Sequence, residues 1–558
     1  MPFSEMILSN DTYDFIVSRE EESGIPTSAL PAATQPINEV YSVVYYNRKD
    51  LPPLSIRDYS YSSIPKCFFL TDTVALEKSG ILAVQNQPGL ALKGRGVLFG
   101  IVDTGIDYRN PLFRNEAGET RIRSIWDQSI AEGEPPEGFL YGTEYSRAQI
   151  NEALRQEEPR QEVLSMDENG HGTYLASLAV GGADEENDFI GAAPEAELVV
   201  VKLKEAKENL RAFYFYPEGV PLYQENDLMA GIAYLERVAI AEQKPLVVLI
   251  AVGSNQGSHI GADPLSDTLN LLGVKLGFTA VVSAGNEAAA GKHFFGQATS
   301  LLSPVVVEMN VEENVAGFCV ELWAYAPELV RVVVQSPTGQ QSSGEFPFVE
   351  DTQTTKYIFE NTTLTLDYRI PGRNRRDMLA FLRFTGPSAG IWRLLVYPQQ
   401  TISGDFHIWL PRETEVFFLQ PDPDSTITTP GMAYVPITAG GYDARTEAGY
   451  LESGRGYDAI GRVKPDLCAP AVDVTGAGLR GGYVENTGTS AAVAITAGAA
   501  IQVMEWGILK GNAPTMNSLE VKNLLVRGCE REQMRTYPNR EWGYGRLNIY
   551  NAFSILRE

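Results

Sequence analysis

Apolar and polar positions divide the chain into three kinds of segment. From Val97 to Val102 the residues are almost all apolar, and the run closes on Asp103-Thr-Gly105. Leu198–Leu203, Leu246–Val252 and Phe278–Ala284 are further runs of that kind, with helical patterning between them near Gly172–Ala179 and Asp227–Glu242. Strands without polar alternation are buried on both faces, so this order predicts a parallel sheet flanked by helices, an α/β fold. Residues 301–432 read differently. Val306–Asn310, Val330–Val334, Leu364–Ile370 and Trp392–Val396 are short strands split by Pro, Gly and Asn turns, which predicts an inserted antiparallel sandwich or jelly roll. The α/β pattern resumes near Gly440 and ends in helices over Ser490–Trp506 and Ser518–Val526. Residues 1–87 alternate short strands, Asp14–Val17 and Tyr41–Tyr45, with polar turns, and predict a small α+β module ending in the turn-forming Gln85-Asn-Gln-Pro-Gly89. The expected division is therefore 1–87, 88–300, 301–432 and 433–558, with the second and last forming one domain.

Charge and cysteine usage narrow the function. The 558 residues carry a net charge of −26. That argues against a nucleic-acid or anionic-membrane partner, since phosphate binding needs clustered Lys and Arg. Cys67, Cys319, Cys468 and Cys529 are widely spaced, with no CxxC or Cys/His pairing. Reduced thiols in a cytoplasmic setting are expected, rather than a disulfide scaffold or zinc site. No metal or cofactor is expected. The first residues show no basic region followed by an apolar stretch, so no signal peptide is expected, and no apolar run is long enough for a membrane span.

Three segments carry candidate chemistry. Asp103 follows a buried-type strand, at the carboxyl end where α/β sheets gather their functional groups. His171, in Asn169-Gly-His-Gly-Thr173, has the most glycine-rich setting of the four histidines. Ser490, in Gly488-Thr-Ser-Ala491, would open a helix, with its hydroxyl exposed beside unpaired N–H groups and the positive dipole end. Singly, each has an ordinary structural explanation: a turn Asp, a core His, a Ser N-cap. Together they stand in the order Asp, His, Ser that recurs in one of the known serine-hydrolase arrangements.

The segments VDTGID, NGHGT, SAGNE and GTSAA resemble the defining motifs of the subtilase family, and Lys464–Pro470 resembles the family's stretch before the nucleophile. The resemblance implies a subtilisin-like serine endopeptidase acting on protein or peptide. Ser490 would attack the scissile carbonyl, His171 would carry the proton, and Asp103 would hold the imidazole. Asn286 and the Ser490 N–H would form the oxyanion hole. Ala251, Val252 and Gly253 would pair with the substrate backbone, and Ser283, Ala284 and Gly285 would line the primary specificity pocket. The chain departs from the common pattern at Ala491 and Ala494-Ile495, positions that tune helix packing rather than chemistry.

The module, the missing leader, the β insert and Thr120–Asp127 narrow the resemblance to the clostridial Csp germination proteases. That family implies a prodomain that is cut off yet stays bound in the cleft, a jelly-roll insert, a cytoplasmic or intraspore location near the coat and cortex, and the zymogen of a spore-cortex hydrolase as substrate. The self-processing cut is expected within Ala83, Val84, Gln85, Asn86 and Gln87, ahead of Pro88. Two alternatives stay open: a general peptide-degrading subtilase with no spore role, and a non-catalytic Csp-like regulator or germinant sensor.

Overall fold

The structure is a computed structural model that describes all residues except 1–6, 19–24, 26–29, 71–75, 77, 344–351, 370–376 and 557–558. Its centre is an eight-stranded sheet in the order Leu467–Pro470, Ile437–Tyr442, Phe278–Ser283, Leu246–Ile250, Leu98–Asp103, Glu197–Lys202, Ile122–Asp127 and Thr143–Ser146. Every pairing is parallel except the last, where Thr143–Ser146 runs antiparallel at the edge.

The lack of alternation follows from packing. Phe99, Ile101, Val200, Val247 and Leu249 face one core, shared with the helices His171–Val180 and Thr489–Met504. Leu98, Val102, Val199, Val201 and Val248 face a second core, under the helix Glu225–Glu242. Both faces bury apolar side chains, so neither set of alternating positions is free to be polar. The stretch Thr489–Leu509 is long and apolar enough to cross a membrane, but 83% of its most apolar window is buried inside the domain.

The insert forms two antiparallel sheets of six and four strands. Phe318, Val320, Leu366 and Leu382 of the larger meet Val307, Met309, Val332 and Trp392 of the smaller in one core, which makes a sandwich. It begins earlier than residue 301, because His293–Gln297 is already one of its strands, paired with Asp405–Trp409. The strand expected over Leu364–Ile370 runs Thr362–Arg369, and Ile370 lies outside the described residues.

In the N-terminal module, Thr12–Ser18, Tyr41–Asn47 and Ala33–Pro36 make a three-stranded antiparallel sheet. Both of its faces are buried. Ile16, Val43 and Tyr45 join the core under Glu225–Glu242, while Phe15, Val44 and Tyr46 join Trp323, Phe381 and Trp409 of the sandwich. The module is thus a wedge between the other two bodies, crossed by the buried ion pair Lys207–Asp14.

The three histidines outside the candidate site meet where sandwich and catalytic domain join. His259 stacks on Trp409 at 3.8 Å between ring centroids, and Trp409 also faces His293 and His407. His293 Nε2 and His407 Nδ1 are 3.0 Å apart, and His293 Nδ1 donates to the Asp422 carbonyl at 3.1 Å. That chain of bonds suits two neutral rings. Burial holds His293 down at about 4 and His407 well below its ordinary value.

A buried His with a depressed pKa leaves the unfolded chain binding more protons below about pH 6.5, so its contribution to stability falls with pH through that window. Glu321 and Asp263, both pushed up to about 7 by burial, act in the opposite sense. Comparing wild type with His407→Phe cancels those carboxyls. Between pH 7.5 and 5.0 wild type should lose about 2 kcal/mol more stability than the variant. Equal losses, measured by denaturant unfolding at both pH values, would refute the assignment.

Candidate active site

Asp103 ends the strand Leu98–Asp103 and is 1% exposed. Its Oδ1 accepts from the Thr104 N–H at 2.8 Å and lies 2.8 Å from His171 Nδ1. With Nδ1–H donating to that carboxylate, His171 Nε2 is left with its lone pair toward Ser490 Oγ, 3.4 Å away. That is longer than a relaxed hydrogen bond, as is common before substrate closes the geometry.

His171 is set by a clamp that the sequence reading overlooked. Asp167 Oδ1 accepts from the Gly170 N–H and the Thr104 hydroxyl, and its Oδ2 accepts from the Thr173 N–H and hydroxyl, all at 2.7–2.9 Å. One carboxylate therefore caps the His171–Val180 helix and ties it to the turn that follows Asp103. Thr104 Oγ1 in turn accepts from the Gly172 N–H at 2.9 Å. A Cβ at Gly172 would collide with the Gly105 carbonyl oxygen, so the helix start can approach this turn only as glycine. An acidic residue four positions before the histidine, with an Asn-Gly turn between, was the available signal.

The oxyanion site is equally constrained. Ser490 is the second residue of the helix Thr489–Met504, so its N–H has no acceptor within that helix. Asn286 Oδ1 accepts from both the N–H and the hydroxyl of Thr489, each at 3.0 Å. Those two donors fix which end of the amide is oxygen, and leave Nδ2 to donate into the cleft. Ser283 Oγ lies 2.7 Å from Thr489 Oγ1 and accepts from the Gly285 N–H. The hydroxyl of Ser283, a residue expected to line the specificity pocket, supports the oxyanion amide through Thr489.

Val252–Gly253 is the expected substrate edge, and a strand of this chain already lies on it. Leu70 pairs antiparallel with Val252 and Phe69 with Gly253, while Cys67 and Phe68 pair with Gln224 and Tyr223 on the other side. Ala251 is buried at the foot of this edge. Lys66, just before the docked strand, donates its N–H to Glu225 Oε2 at 3.2 Å, and its ammonium lies 3.4 Å from the same carboxylate.

The stretch expected to be cut is elsewhere. Ala83–Asn86 belong to the short helix Ile81–Asn86, and Gln87 follows it. Ile81 and Val84 are buried, and Gln85 Nε2 donates to the carbonyls of Gly191 and Ala192. Ala192 bonds to Leu178, near the far end of the His171–Val180 helix and so about 10 Å along its axis from His171. The polar look of this stretch came from Gln85, Asn86 and Gln87, but Ile81 and Val84 make it an anchoring helix. Those five positions therefore do not lie in the cleft.

Beside the triad opens a cavity of about 650 Å³ lined by Asn169, His171, Asn286, Tyr450 and Glu452, with Arg412 supplied from the sandwich side. Arg412 Nε lies 3.3 Å from Glu287 Oε1, next to Asn286. Burial pushes the Glu287 carboxyl up, and Arg412 partly offsets that.

These groups perform acyl transfer. Ser490 Oγ attacks a carbonyl held on the Val252–Gly253 edge and passes its proton to His171 Nε2. Asp103 stabilises the imidazolium, and the Asn286 amide with the Ser490 N–H holds the oxyanion; His171 then protonates the leaving amine. A Ser–His–Asp relay of this order on a parallel sheet defines a subtilisin-type serine endopeptidase. The chain belongs to the subtilase family, whose model matches residues 94–318 and 417–545, on either side of most of the sandwich. Among solved structures it is similar to the CspB protease of Clostridium perfringens, at 28% identity and a TM-score of 0.77, covering 86% of this chain and 97% of that one. It also matches Sphericase, at 14% identity and a TM-score of 0.43, over 84% of this chain and 97% of that one.

Asn286→Ala should lower kcat by about 10²–10³ with little change in KM, the loss known for the matching donor in subtilisin. Thr489→Val, which removes one of the two donors that hold the amide, should lose less. Steady-state kinetics on a peptide substrate separate the two; a Thr489→Val loss as large as that of Asn286→Ala would contradict the supporting role.

Proposed function

We propose that this endopeptidase is made as one chain, cuts itself once between its N-terminal module and its catalytic domain, and retains the module in the cleft as a product-like plug. The observation that supports this is Cys67–Leu70, which lies antiparallel on Val252–Gly253, as a substrate strand would by β-addition. A substrate strand held in this way is cut beyond its docked end. The bond cut is then among the residues that directly follow Leu70, not within Ala83–Gln87. The resemblance to the Csp germination proteases gives the substrate class: the zymogen of a spore-cortex hydrolase, met inside the spore. The assembled triad favours an enzyme over a non-catalytic sensor.

Intact-mass and N-terminal sequence analysis of wild type and Ser490→Ala tests the processing. Wild type should give an N-terminal fragment ending just beyond Leu70 that co-elutes with the rest on gel filtration, and Ser490→Ala should stay full length. A full-length wild type, or a cut within 83–87, would defeat the reading. Cleavage of casein as readily as of a cortex-hydrolase zymogen would instead favour a general peptide-degrading enzyme.

A further inference from the structure

At the end of the central sheet away from the triad, a cavity of about 710 Å³ opens where three neighbouring strands begin. Lys93 and Arg95 precede Leu98–Asp103, Arg121 precedes Ile122–Asp127, and Glu195 precedes Glu197–Lys202. The segment that follows the short turn Pro111–Phe113 adds Arg114 and Glu116. Asp103 stands at the opposite, carboxyl end of the first of these strands, and the cavity shares no residue with the catalytic groups.

The chain as a whole has a net charge of −26, yet this lining sets four cations against two carboxylates, Glu116 and Glu195. Among the described residues Arg95 pairs with Glu195 at 2.8 Å, and no ion pair forms at Lys93, Arg114 or Arg121. Arg121 is 6% exposed, and its guanidinium donates to the carbonyls of Ala196 at 2.5 Å and of Leu112 and Val180 at 2.6 Å. Those bonds fix its position without cancelling its charge, and burial lowers its pKa only to about 10, so it stays cationic. Arg114 Nη2 donates to the Arg109 carbonyl at 2.7 Å, while its Nε is buried with no acceptor among the described residues. A buried donor left unpaired is costly. Glu505 does not compensate this group: it accepts from the backbone N–H of Lys93 and of Gly94 and is not part of the lining.

The geometry points to this cavity as a binding site for a small organic dianion. Two carboxylates would offset the surplus of positive charge and give Lys93 and Arg114 counter-ions, with Arg offering the planar fork that fits a carboxylate. Pro111, Ile190 and Pro194 supply an apolar wall for a carbon skeleton. The volume is that of a small-molecule site, several times what one sulfate or phosphate ion fills. The acidic surface around it repels long polyanions, so the ligand is one small enough to sit within the walls. Binding there uses none of the catalytic groups, and the inference stands or falls apart from the protease reading.

Isothermal titration of the full-length chain with phthalate, benzoate and sulfate, at one ionic strength fixed with sodium chloride, tests this. Phthalate should bind at one site with a Kd below about 1 mM. Benzoate keeps the ring with one charge fewer, and sulfate keeps the charge without the ring; each should bind at least about tenfold more weakly. Lys93→Gln and Arg114→Gln should each weaken phthalate binding about tenfold or more. Arg155→Gln, which removes an exposed charge elsewhere, should change it by less than about twofold. If Arg114→Gln unfolds at a lower temperature without ligand, Lys93→Gln is read in its place, because the Lys93 ammonium bonds to none of the described residues. Absence of phthalate binding at about 10 mM, sulfate binding as tight as phthalate, or wild-type affinity in a folded Lys93 or Arg114 variant would overturn the inference.

Discussion

The active geometry depends on close backbone approach between two apolar helices and the sheet they share. His171–Val180 and Thr489–Met504 are buried along their whole length and pack against each other on one face of that sheet. Small residues make this possible. A Cβ at Gly498 would collide with Ala192, and one at Gly172 with the turn after Asp103. At these points the helices are placed by close backbone approach, which is stiff because protein interiors are packed at crystal-like density. The 3.4 Å between His171 Nε2 and Ser490 Oγ is thus set by the core, and Asp167 and Thr489 only trim the orientation of what the core delivers.

The N-terminal module is held by a different balance. Its sheet buries apolar side chains on both faces, and it also carries charges into the interface. Asp14 meets Lys207, and Lys66 meets Glu225, with all four side chains nearly inaccessible. Desolvation offsets much of the attraction in such pairs, so they add less net stability than registry. Lys207 also reaches Thr12 Oγ1, while Gln224 and Asn226 donate to Asp14 Oδ2. A module shifted by one residue would bury these groups unpaired at a cost of several kcal/mol. Apolar burial keeps the wedge in place, and the ion pairs select its position, which in turn aims Cys67–Leu70 along Val252–Gly253.

Much of the catalytic centre was legible in the chain because its parts are local. A strand ending on Asp103, a glycine-flanked His171 and a Ser490 that opens a helix are each written within a few consecutive residues. So is the parallel sheet, whose strands show burial on both faces directly in composition. The clamp from Asp167 was half legible, as an acidic residue placed to cap the His171 helix. What escaped the reading is contact between distant segments. Thr428 lies more than a hundred residues from Gly285 and Gly253, yet its side chain packs against both. The position of Ala83–Gln87 was misjudged for a related reason: turn-like polarity was weighed, but not the burial of Ile81 and Val84 against a surface far away in sequence. Likewise His259, His293 and His407 each look like isolated residues until Trp409 gathers them.

One node joins all three bodies and shows why the sandwich matters to the cleft. Glu321 of the insert accepts from Tyr61 OH of the module at 2.6 Å and from the Gly257 N–H of the catalytic domain at 3.1 Å. Trp323 Nε1 donates to the same carboxyl at 3.1 Å. Gly257 lies four residues beyond Gly253, the last residue of the substrate edge, and Tyr61 lies six residues before Cys67, the first residue of the strand docked on it. The insert therefore fixes the edge and its occupant through one buried group. Burial pushes that carboxyl up to about 7, because desolvation outweighs what its three donors give back. Removing Tyr61 from this site would leave one Glu321 oxygen without its shortest partner in a low-dielectric setting, which is costly. The arrangement with Cys67–Leu70 paired to Val252–Gly253 is thus the one in which this polar node is satisfied, and the sandwich provides the mount for Glu321.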